Sequence, residues 1–442
     1  CGGAMNILYI SQYYPPECCA PARVSELARE WSRAGHEVRV LTGFPNHPDG
    51  RIHPQYRRRW KSGFCREQHD GVEIFRTWLH PSANRGVWNR SANFLSFALS
   101  AVVSGVRIAP RDGVVIATSP PILVGAAGYA VARRAGLPFV FEVRDLWPES
   151  LEAVGQASRN SALYRAVGRL ANFLYRKADR IVVDGDWKRR KLVGDGIPEA
   201  KITVNRNGVA AEFLERNLEA GGERARQIRR RLNLDGRFVA IYAGTLGMAH
   251  RLETVLEAAH LLRERCEIAF VLIGDGAGRE TLIRQMREMN LRNTHILSRV
   301  PRESVPDYLA AADACLAPLR ASEAFHTAIP CKMFEAMAAA KPVILGVQGE
   351  AAEILREADA GICVPPEDAR ALADAVLHLA SHPAIARQLG KNGQSAILSR
   401  HSRRDQALAY LDLLCELEES DELVRHVPEQ VHSLPVALKE PV

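Results

Sequence analysis

From end to end the chain repeats one pattern: a helix closing on a small residue and Gly, then a short apolar run, then a loop of Gly, Pro, Asp or Ser. Ala34-Gly35-His-Glu-Val-Arg-Val-Leu-Thr42 is one instance, with Gly35 as the left-handed residue that ends the helix. Ala135-Gly136-Leu-Pro-Phe-Val-Phe-Glu-Val-Arg-Asp145 is another. Residues 114–118 and 181–184 supply further strands, and residues 238–244, 268–274, 314–318 and 343–345 continue the series. Runs of Val, Ile and Leu without polar alternation are buried on both faces. They predict an α/β fold of parallel sheets covered by helices on either side.

A chain of 442 residues is too long for one ordinary core, and the series divides into two tandem Rossmann-like domains facing a central cleft. The reading places an N-terminal domain at residues 1–205 and a second at 206–395. A C-terminal helix at 396–417 returns to the first domain, and a loose tail follows at 418–442. Residues 1–4 read as an extension before a start at Met5, and no signal peptide is expected, because a strand begins at once. Nine cysteines, an odd number without Cys-x-x-Cys spacing, argue against a disulfide framework and a structural zinc, and favour a reducing cytoplasm.

Charge is unevenly spread. Residues 1–205 carry 29 Lys and Arg against 18 Asp and Glu, a net of +11, whereas residues 206–442 carry 29 against 33, a net of −4. The first half is therefore expected to face something anionic, and Arg57-Arg58-Arg59-Trp60-Lys61 is its densest run. No nucleic-acid motif accompanies the charge, so an anionic membrane surface is the expected partner and nucleic acid is not. Residues 92–106 hold no charge. They are too few to span a bilayer, and read either as a helix packed on the sheet or as one partly inserted in a membrane.

Ligands of doubly wound sheets sit beyond the carboxyl ends of the strands, so the chemistry is sought in the residues that follow each run. Residues 329–345 read as a helix opening at Pro330, with Lys332 and Glu335 near its start and Met333 between them. Free N–H groups and a cation attract phosphate there, and a carboxylate one turn on can accept both hydroxyls of a ribose. Gly244, Thr245, Leu246 and Gly247 form a turn in which amides can approach phosphate, and Gly274, Asp275 and Gly276 form a second. A tight strand–helix turn needs glycine even without a ligand, so either loop alone is a weak signal. Val300 lies where a nucleobase can pair with backbone groups. In the first half, Tyr13-Tyr-Pro-Pro-Glu17-Cys18-Cys19-Ala20 precedes a helix containing Arg23, and Arg144-Asp145-Leu-Trp147-Pro-Glu-Ser150 follows a strand. Asp145 is placed to steer or deprotonate an acceptor hydroxyl, with a structural ion pair to Arg144 as the alternative.

Taken in order, Tyr13-Tyr-Pro-Pro-Glu17, the Arg144–Ser150 motif, Asn207-Gly208-Val209, Gly274-Asp-Gly276 and Pro330-x-Lys-x-Phe-Glu335 resemble the family-4 retaining glycosyltransferases of GT-B fold. The resemblance covers nearly the whole chain from Met5 to Leu417. The Arg-Asp-Leu-Trp-Pro-Glu-Ser element looks like the subgroup that transfers N-acetylated amino sugars, such as L-fucosamine, in O-antigen and capsule assembly. The resemblance implies a UDP-sugar donor in the second domain and a sugar on a polyprenyl diphosphate carrier in the first. It implies transfer with retention, needing neither metal nor cofactor, at the inner face of the plasma membrane. Lys332 and the amides of residues 244–247 would then stabilise the departing diphosphate, and Glu335 would hold the ribose. Glu17, Cys18, Cys19, Arg23 and Trp147 would line the acceptor side.

Three departures from that family stand out. Thr327 occupies the position of a Glu that contacts the donor sugar, and His326 is its expected substitute. Cys18-Cys19 stands where a glycine is usual. Arg251 is expected to replace a phosphate-binding Lys after the Gly244 loop. Two rivals stay open: a nucleotide-sugar 2-epimerase and a non-catalytic, membrane-recruited scaffold.

Overall fold

The computed structural model describes residues 3–17, 22–47, 50–82, 87–153, 157–220 and 222–426. Its strands form two sheets, one from each half of the chain. The first comprises β1 (Asn6–Ile10), β2 (Glu37–Gly43), β3 (Phe64–His69), β4 (Val72–Thr77), β5 (Val114–Ser119), β6 (Phe139–Val143), β7 (Arg180–Val183) and β8 (Ile202–Val204). They lie in the order β3-β4-β2-β1-β5-β6-β7-β8. All the pairings are parallel except β3 with β4. The second comprises β9 (Phe238–Ala243), β10 (Ile268–Ile273), β11 (Thr294–Leu297), β12 (Ala314–Pro318), β13 (Val343–Gly346) and β14 (Gly361–Cys363). Its order is β11-β10-β9-β12-β13-β14, parallel throughout. In each sheet the strand order reverses beside its first strand, which opens a crevice at the carboxyl ends of β1 and β9. The α/β expectation holds: two parallel-sheet domains, each with apolar clusters on both faces.

The apolar runs at residues 139–143 and 314–318 are strands to the residue. The β3–β4 hairpin and β14 are additions that the apolar pattern does not reveal. β3 is an edge strand with mostly exposed, polar side chains, and β14 is an edge strand of 3 residues.

Three expectations need correction. The uncharged run 92–106 belongs to a longer helix, Val87–Ile108, of 22 residues. Its segment Asn89–Ile108 is long and apolar enough to cross a membrane by length and composition, but 33% of that window is buried in the protein. Phe97 and Ala101 lie at 0% exposure in the core beneath it. Second, the helix expected at 396–417 is Arg403–His426, because residues 396–400 close the preceding helix Pro383–Arg400; it runs past residue 418, where the loose tail was placed, and residues 427–442 lie outside the described residues. Third, Cys415 is disulfide-bonded, against the cysteine count, whereas Cys65, Cys266, Cys315, Cys331 and Cys363 are free thiols.

The last helix lies against the first domain. Trp31 Nε1 donates to the Ala407 carbonyl at 2.9 Å, and the Trp31 and Tyr410 rings meet edge to face at 5.3 Å. It thereby completes the core on the face of β1 opposite the Val87–Ile108 helix.

Candidate active site

The two crevices meet where the helix Cys331–Ala338 begins. Pro330 is its N-cap, extended at φ −66° and ψ 120°, with no side-chain capping bond. The first amides of the helix are thus available to a ligand. Met333 is fully buried in the core, which removes it from the expected donor contacts, while Lys332 and Glu335 face the cleft.

Lys332 is held by a residue that the sequence reading missed. Its Nζ donates to the Tyr242 hydroxyl at 2.6 Å and sits 4.0 Å from the centre of that ring. The Tyr242 hydroxyl in turn donates to the Thr245 carbonyl at 2.7 Å. This ties the helix start to the loop after β9. Burial pushes the Lys332 ammonium down to about 7, against the opposing pull of Glu335 and Cys331. His250 stands close by, its ring 5.7 Å from Tyr242. Burial and then the Lys332 charge hold it well below the usual histidine value. Arg251, expected as the phosphate cation, instead pairs with Glu253 at 3.5 Å and Glu367 at 3.4 Å. His250 is the basic residue beside Lys332.

The two glycine loops interlock. A Cβ on Gly274 would lie 1.8 Å from the Gly244 carbonyl oxygen, and one on Gly276 would lie 2.6 Å from that of Leu246. Both glycines have φ near +154°, which side-chain-bearing residues rarely adopt. The amides of Gly244 and Leu246 donate to Ile273 and Asp275 at 2.9 Å each. Those of Gly274 and Gly276 donate to the Leu297 carbonyl and the Asp275 carboxylate. The Gly244 and Leu246 amides thus tie the two loops together, that of Gly274 extends the ladder to β11 and that of Gly276 binds its neighbour's carboxylate, so these four are already taken, contrary to the expected phosphate contact. Leu246 itself is buried in the core, and Thr245 is exposed at the cleft. Val300 packs on the second-domain core at its edge.

Glu335 is not an isolated carboxylate. Arg302 Nη1 approaches it at 3.3 Å, while Arg302 Nη2 approaches Glu26 of the first domain at 3.4 Å. Glu26 also pairs with Arg403 at 2.9 Å. Burial raises the Glu335 carboxyl, and Arg302 opposes that rise. Glu26, Arg302 and Arg403 went unread in the sequence, since a lone charged residue on a helix or loop carries no local mark of its partner.

From the first domain, Arg144 and Asp145 follow β6 directly. They form no ion pair with each other, so the structural alternative fails. Asp145 makes no hydrogen bond or ion pair with any described residue, and Arg144 Nε is buried without a partner. Asp145 is open to water inside the cleft, yet surrounding protein raises its carboxyl above the usual value, with Lys188 and Arg144 opposing. Arg144 acts electrostatically on Cys331 across the cleft, which places this motif opposite the Lys332 helix. Trp147 has its indole N–H buried and unpartnered beside them.

The remaining acceptor-side residues are placed differently from expectation. Arg23 is buried, its Nε donating to Glu142 at 2.7 Å. The rest of its guanidinium bonds Arg206, Asn207 and Asn205. It anchors the interdomain linker, with four of its five N–H donors committed there and to Glu142, and is buried away from the acceptor side. Glu17 is buried and accepts from the Asn46 and His47 amides at 2.7 and 2.9 Å. Burial raises it to about 7, and its second oxygen has no partner. Cys18 and Cys19 lie outside the described residues. The Thr327 carbonyl accepts from Lys188 Nζ of the first domain at 2.7 Å, and the ring of His326 lies edge-on to Trp187 at 6.3 Å. Both expected sugar-end residues thus lie at the domain interface. Among the described residues no group of three His, Cys, Asp or Glu is placed to hold a metal ion.

Comparison with known proteins agrees with this geometry. Residues 20–208 match the glycosyl transferase 4-like domain, and residues 224–396 match glycosyl transferases group 1. The chain is 29% identical over 274 residues to a glycosyltransferase, WbjE, of Pseudomonas aeruginosa, covering 60% of this chain and 65% of that one. It is 23% identical over 401 residues to WcaI of Escherichia coli K12, described as a colanic acid biosynthesis glycosyl transferase, covering 87% and 95%. Anabaena HepE, solved in complex with UDP-glucose, superposes with a TM-score of 0.68 at 16% identity, over 93% of this chain and all of that one. With both domain models matched in order on two parallel-sheet domains, the chain is a glycosyltransferase of the GT-B type.

Proposed function

We propose that this enzyme moves an N-acetylated amino sugar from a UDP-sugar, with retention of configuration, to a lipid-linked glycan. It would act as a peripheral protein at the cytoplasmic face of the membrane, in bacterial surface polysaccharide assembly. One observation carries the reading. Asp145, a carboxylate without a hydrogen-bond or ion-pair partner among the described residues, stands next in the chain to Arg144, which acts on Cys331 at the uncapped start of the Cys331–Ala338 helix. A carboxylate left free of protein partners and open to the cleft can accept a hydrogen bond from an incoming sugar hydroxyl and take up its proton. Opposite it, the uncapped helix start and Lys332 suit a departing diphosphate.

The UDP assignment is supported by the UDP-glucose complex of HepE, and the polysaccharide setting by the description of WcaI. The amino sugar rests on the resemblance of the Arg144–Ser150 motif alone. Glu335 would accept the ribose hydroxyls, and Arg302 would then remain with Glu26. The test is incubation with a panel of UDP-sugars and a polyprenyl-diphosphate-linked acceptor. UDP release that depends on acceptor supports the proposal. A donor epimer formed without acceptor would establish the epimerase, and UDP binding without turnover on the whole panel would establish the scaffold. Retained turnover in EDTA tests the expected metal independence.

A further inference from the structure

The outer face of the Val87–Ile108 helix is unlike the outer face of a surface helix in water. Ala92, Leu95, Leu99, Val103 and Val106 all face solvent, with Leu95 at 51%, Leu99 at 62% and Val103 at 56% exposure. At 100° per residue these five positions fall within an arc of about 80°, and Leu95 to Val106 spans about 16 Å. No charged residue interrupts that face between Arg90 and Arg107. A helix packed on a soluble core normally turns charged or polar residues outward.

The stripe continues into a basic rim. The Ser100 hydroxyl bonds the Trp78 carbonyl, and the His80 amide donates to Ser96 Oγ at 2.9 Å, which seats the 78–80 segment against the helix. On the other side of that segment, Trp60 Nε1 donates to the Leu79 carbonyl at 3.0 Å and fixes the short helix Arg57–Lys61 beside it. Trp78 is 40% exposed between the two. Arg59 pairs with Glu67 at 3.5 Å. Arg57, Arg58 and Lys61 are exposed with no acidic partner among the described residues, as is Arg107 at the far end of the stripe. The arrangement is an apolar ridge with an aromatic at its edge and uncompensated cations around it.

We infer that this face, formed by the Val87–Ile108 helix, Trp78 and the Arg57–Lys61 helix, docks the enzyme on an anionic lipid bilayer. It rests on the reading of the enzyme as a peripheral membrane protein and names the surface that makes it one. Leu95, Leu99 and Val103 enter the acyl boundary, Trp78 sits at headgroup level, and Arg57, Arg58, Lys61 and Arg107 meet lipid phosphates. The first domain's net charge of +11 has the sign this needs. A second copy of the chain fits the face poorly, because a two-fold contact would bring the unpaired arginines of both copies together.

Cosedimentation with vesicles containing roughly one-third phosphatidylglycerol, against pure phosphatidylcholine vesicles, tests the inference. The wild-type protein should bind the anionic vesicles and lose most of that binding in about 0.5 M salt. Leu95→Glu with Leu99→Glu, and separately Arg57→Glu with Arg58→Glu, should each weaken partition on the order of tenfold. Both pairs are solvent-exposed, so their thermal midpoints should match wild type. Wild-type partition in both variants would overturn the docking surface, as would equal, salt-independent binding to neutral vesicles. A dimer that Leu99→Glu dissociates, with vesicle binding unchanged, would make the face a subunit interface and equally overturn it. Transfer to a lipid-linked acceptor dispersed in detergent separates the two ideas. Turnover there without vesicle binding removes the surface and keeps the function, whereas vesicle binding without turnover does the reverse.

Discussion

Burial lowers the Lys332 ammonium to about 7, with Glu335 and Cys331 opposing that fall. A bound diphosphate favours the charged amine and lifts its pKa. Between the empty and the occupied values, binding therefore takes up a proton. UDP affinity should fall as pH rises above about 7, by up to tenfold per pH unit. Calorimetry at pH 8 in two buffers of different ionisation enthalpy measures the uptake, and zero uptake would remove Lys332 from the diphosphate site. Tyr242→Phe deletes the hydroxyl that receives the Lys332 Nζ. It should weaken UDP by about 1 kcal/mol, the worth of one such bond, read in the same titration. Asp145 offers the opposite experiment, since among the described residues it has no hydrogen-bond or ion-pair partner to lose. Asp145→Asn should cut kcat on the order of a hundredfold, keep the donor KM, and leave the thermal midpoint at or above wild type. A lowered midpoint with full turnover would make the side chain structural.

At the scale of elements, the loops after β9 and β10 act as one piece. Gly274→Ala would place a Cβ 1.8 Å from the Gly244 carbonyl oxygen and force a side chain onto φ +154°. Such strain costs about 1–3 kcal/mol, and it falls on the loop joined to Lys332 through Tyr242. The variant should lose thermal stability and UDP affinity together, whereas Gly236→Ala, at positive φ with open space around it, should lose stability alone. The contrast shows what the sequence could and could not reveal. Glycines at strand ends, the proline-led helix at Cys331 and the unbroken apolar strands declare themselves locally, because period and turn chemistry are short-range properties. Tyr242 does not, since a Tyr inside an apolar run reads as core and its partner lies 90 positions away. Arg302 and Glu26 are 276 positions apart, and only the fold makes them neighbours. Arg23 misled for the same reason: beside the Tyr-Tyr-Pro-Pro-Glu motif it reads as a ligand, while its partner Glu142 is buried on β6. The β3–β4 hairpin escaped because an edge pair exposed to water has little apolar pattern to show.

Across the whole molecule, buried polar groups tie the first domain to the linker and to the second domain. Arg23 joins β6 to the linker, Asn207 Nδ2 donates to Asp184 at 3.2 Å, and Lys188 joins Asp184 to the Thr327 carbonyl. Asp145 lies within electrostatic reach of both Asp184 and Lys188, so the groups that position the domains also set the field around the candidate base. Beside this network, Glu350 of the second domain caps a helix of the first. Its two oxygens accept from the Asp186 and Trp187 amides, at 2.6 and 3.0 Å, at the start of the helix Asp186–Gly194. The fit is tight: a Cβ on Gly185 would lie 2.3 Å from Glu350 Oε2. A cap of this kind is satisfied only while the domains are apposed, so it resists opening of the cleft. Glu350→Gln keeps the shape but turns one acceptor into a donor facing an N–H. It should cost about 1–2 kcal/mol and shift the empty enzyme towards an open form. Small-angle scattering should show a larger radius of gyration for the variant without donor, returning towards the wild-type value with saturating UDP-sugar as the ligand draws the domains together. An unchanged radius alongside lowered stability would mean that the cap holds a helix and not the cleft.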